Sequence, residues 1–251
     1  MKRCFTILML LALVGICATT ADAKRRVHRK AKPKAKTTAT VTTTGRAQGH
    51  DYVDLGLPSG TLWATMNVGA NSPEDYGDYF AWGETAPKSE YDWSTYKWCK
   101  GSFDSLTKYC TNSSCGYNGF VDNKTELDPA DDAATANWGS GWRMPSEKQM
   151  REMYDNCTSE WTTINGVNGR LFKSKKNGAS LFLPAAGYRW SDELYDAELY
   201  DAGSRGHCWS RTLSSSGPSG AYCLDLYSGG VGWGYYWYRC NGQSVRAVRV
   251  P

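Results

Sequence analysis

The chain has no apolar run long enough to cross a bilayer: the longest, Phe5 to Cys17, falls short of the ~20 residues that a span needs. Histidine is scarce. His28, His50 and His207 are scattered, and no C-x-x-C occurs, so the ligand spacings of a zinc site are missing. G-x-S-x-G and H-E-x-x-H are absent as well, which removes the nucleophile elbow and the zincin helix as routes to catalysis. No segment repeats at a solenoid or propeller period.

What is present is unevenly distributed. Lys2 and Arg3, the apolar run to Cys17 and the small-x-small triplet Ala21-Asp22-Ala23 read as an export signal over residues 1–23. Attachment of a lipid through Cys17 is disfavoured, because Ile16 stands where a small residue belongs. The mature chain is therefore expected outside the cytoplasm, in the periplasm, on the cell surface or secreted, with no transmembrane span.

Eight Lys or Arg lie between Lys24 and Lys36 with no acid among them. From residue 37 onward 19 basic and 24 acidic side chains leave the remainder at about −5, so a basic tail precedes an acidic body. Residues 24–49, basic and then Thr-rich from Thr37 to Thr44, contain almost nothing apolar and are expected to form a disordered linker. Such a run attracts anionic envelope polymers electrostatically or simply spaces the body from the envelope; nothing in it specifies nucleic acid.

Eleven Trp, 16 Tyr and 26 Gly fit a fold of many tight turns and few long helices. Its clearest element is a helix from Glu147 to Cys157. Ser146 is a good N-cap, Gln149 completes a capping box, and Pro145 gives the helix a sharp start. Met150, Met153, Tyr154 and Cys157 form the apolar stripe, with Glu147, Lys148, Arg151, Glu152 and Asp155 opposite.

Before this helix, strands are expected at Tyr52 to Leu55, Thr61 to Ala64 and the glycine-bounded Gly77 to Glu84; Thr85 to Asn123 is a long loop. After it, Trp161 to Ile164, Arg170 to Ser174 and Ala179 to Leu183 form hairpins, the first around an Asn-Gly turn. Ala185 to Gly206 reads as a second loop. A meander of His207 to Leu213, Ala221 to Tyr227, Val231 to Arg239 and Gln243 to Val250 closes the chain. In the second of these strands Tyr222, Leu224 and Leu226 share one face, and Cys223, Asp225 and Tyr227 the other.

Seven cysteines follow the export signal: Cys99, Cys110, Cys115, Cys157, Cys208, Cys223 and Cys240. An oxidising compartment permits bridges, and the odd count leaves at least one thiol free or paired between chains. A Cys99–Cys110 or Cys99–Cys115 bridge would staple the first long loop by roughly 2 to 4 kcal/mol; Cys208, Cys223 and Cys240 are the late candidates. Oxygen ligands are densest from Asp122 to Asp132. Asp122, Asp128, Asp131 and Asp132 are the set that calcium, the one cofactor the sequence suggests, would take. The spacing is not that of an EF-hand, and the run equally suits a helix start with Asp128 as cap, Pro129 at the first position and Asp131 and Asp132 in the first turn, which is the favoured reading.

Five stretches carry a resemblance: Tyr52 to Ala64, Tyr76 to Glu84, Trp142-Arg143-Met144-Pro145-Ser146, Leu183 to Arg189 and Gly242 to Arg246. In this order they resemble the Fibrobacter succinogenes major paralogous domain family, and cover the chain from about Asp51 to its end as one domain, 50–251. The resemblance implies an α+β, C-type-lectin-like fold shared with formylglycine-generating enzymes: one or two helices on a mainly antiparallel sheet, with long irregular loops as the binding surface. It implies little about function.

Three functional classes compete. A formylglycine-generating activity needs a late C-x4-C pair; Cys110 and Cys115 have that spacing but lie in an early loop. A glycan-active carboxylate pair has no signature to search for. A binding module for carbohydrate or a surface protein would stack sugar faces on aromatics, with Tyr188, Arg189, Trp190, Tyr195, Tyr200, Trp233, Tyr235 and Tyr236 as candidates, joined by Trp237. The third class is a structural display scaffold anchored by the basic tail. The binding module, without catalysis, is the favoured reading. Trp63, Trp82, Trp142 and Trp209 are assigned to the core.

Overall fold

The computed structural model describes residues 40–192, 195–232 and 236–250. Residues 1–39, with the expected export signal and most of the expected linker, lie outside the described residues. Among those described, the architecture is α+β with two short α-helices and four antiparallel sheets. No helix among them is long and apolar enough to cross a membrane.

The first sheet joins the two ends of the fold. Strands β1 (Gly45–Ala47), β2 (His50–Asp54), β3 (Leu62–Ala64) and the late β13 (Val248–Arg249) pair in that order. The expected linker boundary at residue 49 is corrected here. β1 and β2 form a hairpin through Gln48 and Gly49, both at positive φ, and Thr42 donates its backbone N–H to Ser180 at 3.0 Å. A Thr-rich stretch buries little apolar side chain, yet its backbone can still complete ladders on structure formed elsewhere, and a composition argument does not see that.

The second sheet, β4 (Cys157–Ile164), β5 (Val167–Ser174) and β6 (Ser180–Pro184), is the expected run of hairpins. Asn165 and Gly166 turn the first of them with φ of 48° and 86°, the pair of positive angles a two-residue hairpin requires. The third sheet is the first part of the expected meander; its expected last strand, Gln243 to Val250, is reduced to β13, which pairs with β3 in the first sheet. β10 (Gly220–Tyr227) lies at its centre, with β9 (Arg205–Leu213) on one edge and two short strands, β11 (Gly230–Gly232) and β12 (Tyr236–Tyr238), sharing the other.

The fourth sheet was not expected. Ala185 to Gly206, read as a loop, contains the hairpin β7 (Tyr188–Asp192) and β8 (Tyr195–Tyr200), in which Tyr188 faces Tyr200 and Trp190 faces Glu198. Its period-2 pattern is obscured by acids and serine, which belong to loops by composition alone. Gly187 leads into β7 at φ 64°, where an added Cβ would collide with the backbone of Tyr200. The reverse error occurs at Gly77 to Glu84. This segment is no strand; Phe80 makes one bridge to Gln243, and Phe80, Ala81 and Trp82 are buried.

The central helix α2 spans Glu147–Asn156, with Cys157 as its C-cap and the full capping box in place: Gln149 N–H donates to Ser146 Oγ, and Ser146 N–H to Gln149 Oε1. Met150 and Met153 are buried against Val53, Leu55, Trp63, Phe172, Leu224 and Leu226. Tyr154, placed on the apolar stripe, is instead 37% exposed, while Cys157 joins Met150 and Met153 in the core. Helix α1 (Ala133–Trp138) is capped by Asp132, whose carboxylate accepts from Thr135 N–H. The expected cap, Asp128, precedes only a one-turn 3-10 segment and makes no side-chain cap bond. Trp63, Trp82, Trp142 and Trp209 are all at 0% exposure, in the core as assigned.

The long loop from Thr85 to Asn123 packs on its own aromatics, with Tyr91, Tyr96 and Leu106 gathered around Cys99, Cys110 and Cys240. All seven cysteines among the described residues are free thiols, so none of the candidate bridges is formed there. The clamp is Arg239, fully buried. Its guanidinium donates to the carbonyls of Lys108, Tyr109 and Pro218 and, through Nε, to the hydroxyl of Tyr96 at 2.8 Å.

Candidate functional site

The hairpin and the late sheet meet at a cleft of about 490 Å³. Alternation along β7 turns Tyr188 and Trp190 to the same side, and both line it. β9 supplies Arg205 at its first residue, β10 supplies Asp225 and Tyr227, and β12 supplies Tyr236, Trp237 and Tyr238, with Asn241 just beyond.

Aromatic packing grades the cleft from a buried wall to an open rim. Tyr188 stacks on Tyr200 at 5.5 Å between centroids, leans on Trp237 at 4.5 Å, and meets His207 edge-on at 5.3 Å. Burial raises its phenol. Trp190 is 38% exposed, and Tyr236 and Tyr238 are 50% exposed each, so large π-faces reach solvent at the mouth.

Beneath them lies a small polar group. Asp225 is 4% exposed, burial raises its carboxyl above the usual range, and the Arg205 guanidinium opposes that shift from 3.8 Å. Arg205 lies over the Tyr227 ring at 5.3 Å. His207 is roofed by Tyr188 and by Trp237, whose ring centroid is 4.5 Å away; burial first, and the Arg205 charge second, lower its imidazole to about 3. It is therefore neutral at physiological pH.

The structure thus brings together four of the expected ligand-binding residues, Tyr188, Trp190, Tyr236 and Trp237. Tyr200 backs Tyr188 rather than lining the cleft. Arg189 points the other way, over the Tyr79 ring at 5.1 Å, because it alternates with its neighbours on β7. Trp233, Tyr235 and the side chain of Tyr195 lie outside the described residues. Arg205, Asp225, Tyr227, Tyr238 and Asn241 were missed. The available signal was Asp225, an acid in the middle of an otherwise apolar strand on the same face as Tyr227.

The acidic run is not gathered into a cation site. Asp122 accepts the backbone N–H groups of Tyr109, Cys110 and Lys124. Asp131 takes Lys108 Nζ and the Tyr109 hydroxyl, both at 2.6 Å. Asp128 pairs with Lys108 and Lys124, which hold its carboxyl below the usual range. Asp132 faces the backbone of Thr135 and Met144. Local lysines and amides are better placed than a distant ion to use these oxygens, and no group of three His, Cys, Asp or Glu able to hold a metal occurs among the described residues. The C-x4-C pair lies in the early loop, where burial raises the Cys110 thiol and its Sγ meets the Asn112 carbonyl at 3.1 Å.

No family model, curated protein or solved structure matches this chain.

Proposed function

We propose that this chain is an exported, non-catalytic binding domain that takes a carbohydrate in the aromatic cleft. The observation that carries the reading is the pairing of exposed π-faces at the mouth, Trp190, Tyr236 and Tyr238, with a buried polar floor at Asp225 and Asn241. A pyranose presents this combination in reverse. Its axial C–H faces stack on aromatic rings, while its hydroxyls need donors and acceptors in the same plane as the ring. The expected export signal and the lectin-like expectation from the resemblance both fit this reading.

The test is a panel of soluble glycans against the full chain and its Trp190→Ala and Tyr236→Ala variants. Loss of binding in both variants, with little change in melting, supports the cleft. Binding that survives both substitutions but disappears in about 0.5 M salt assigns the contact to the basic tail instead.

A further inference from the structure

The two charged groups of the cleft are not equivalent. Asp225 is buried, with 6% of its side chain exposed, whereas 43% of the Arg205 side chain is open to solvent. The guanidinium is fixed on two sides, by the Tyr227 ring beneath it and by the Asp225 carboxylate at 3.8 Å, too far for a hydrogen bond. Among the described residues its N–H groups make no hydrogen bond at all. It is a positioned, planar fork of five donors that stands in a cleft with its donors unspent. Arginines elsewhere in this protein are used differently: Arg239 donates to three carbonyls and a hydroxyl, and Arg246 to Asn67 and to the carbonyls of Ala64, Thr65 and Phe182.

A planar fork is complementary to a planar pair of oxygens, and a bidentate guanidinium–carboxylate pair is stronger and more directional than a bond to a neutral hydroxyl. Asp225 offers a ligand little beyond Oδ2, which faces Arg205 at 3.8 Å, because its Oδ1 is closed off from solvent and unpartnered, with His207 Nδ1 3.8 Å away. Its place behind Arg205 is that of a group that orients the fork. The charge presented at the open side of the cleft is therefore positive, with the π-faces of Trp190 and Tyr236 beside it.

We infer that the cleft selects sugars that carry a carboxylate, as uronates do, with Arg205 holding the carboxylate and Asp225 acting as a positioning residue. This rests on the carbohydrate reading above and narrows it to a substrate class. The basic tail is no substitute for Arg205. It attracts polyanions whatever their shape, whereas a fork discriminates a single carboxylate on a single ring.

Matched methyl glycosides test the inference: glucoside against glucuronide, galactoside against galacturonide, mannoside against mannuronide. Binding to the full chain is read by ligand-observed NMR and calorimetry. The expected result is at least a tenfold preference for the acid in one pair, abolished in Arg205→Gln and not restored by Arg205→Lys, which keeps the charge and loses the fork. In Asp225→Asn the preference for the acid should shrink, because the fork loses the carboxylate that orients it. A neutral sugar bound as tightly as its acid, and lost in Trp190→Ala, overturns the inference and leaves the carbohydrate reading standing. A preference that persists in Arg205→Gln places the contact on the tail and overturns it too. If no sugar of either kind binds, the carbohydrate reading fails and the inference with it.

Discussion

The Nδ1 of His207 lies 3.8 Å from Oδ1 of Asp225, and neither atom has a hydrogen-bond partner among the described residues. Two groups that would form a strong ion pair if both were charged are instead kept apart under the rings of Tyr188 and Trp237. Burial decides this, because a second charge in so enclosed a place costs more than the attraction returns.

A pH dependence follows, and its sign can be worked out. His207 takes up its proton near 6.5 in the unfolded chain and only near 3 in the folded one. Between these values the unfolded state holds more protons, so acidification destabilises the fold by at most about 1.4 kcal/mol per pH unit from this group. Asp225 acts in the opposite sense. Its carboxyl is raised from 3.8, so the folded state protonates first, and the cost of its buried charge is relieved as pH falls through the raised value. Thermal melts between about pH 7 and 4 should fall more steeply for the native chain than for His207→Gln, which cannot gain a charge. Equal slopes would mean that His207 is not held neutral.

The acidic run offers a second check. Asp132 caps α1 and takes Met144 N–H at 2.9 Å while only 2% exposed. Asp132→Ala removes a cap and strands a buried amide, which together cost about 2 to 4 kcal/mol. Asp128, with lysine partners on the surface, should matter far less, with Asp128→Ala shifting stability by at most about 1 kcal/mol. Neither calcium nor a chelator should move the melting temperature, since only a ligand of the folded state would do so. A rise in melting temperature on adding calcium would restore the cation site.

The α2 boundaries, the Asn165–Gly166 hairpin and the four buried tryptophans were legible because each depends on neighbours in sequence: a capping box, a turn dipeptide, an apolar surrounding. The β7–β8 hairpin and the Thr40 to Ala47 segment were not, because what orders them is contact with distant strands, such as Thr42 on Ser180. The cleft was half legible. Aromatic content pointed to Tyr188, Trp190, Tyr236 and Trp237, but Arg205 and Asp225 are 20 residues apart and come together only through the β9–β10 ladder, where Arg205 lies opposite Tyr227 and His207 opposite Asp225.

The last prediction concerns what holds the long loop from Thr85 to Asn123. A disulfide was the expected staple; Arg239 occupies that role, tying Tyr96, Lys108, Tyr109 and Pro218 from one buried guanidinium stacked 5.0 Å over Trp82. The thiols beside it are shielded: burial pushes Cys240 up to about 12 and raises Cys99 and Cys110. Non-reducing peptide mapping should therefore find no bridge among the seven cysteines from Cys99 to Cys240, and reductant should leave the melt unchanged. Arg239→Lys keeps the charge but has one nitrogen for four acceptors, so buried carbonyls lose their donors and stability should drop by about 3 to 5 kcal/mol. Arg239→Met, which fills the space without a charge, should cost less than Arg239→Lys if the buried charge is the larger penalty, and more if the unpaired carbonyls are. Because the acceptors are concentrated in the loop, hydrogen exchange should rise first between Thr85 and Asn123, ahead of the β9–β10 ladder. Exchange that rises uniformly across the fold, or a bridge recovered between Cys99 and Cys110, would refute Arg239 as the clamp.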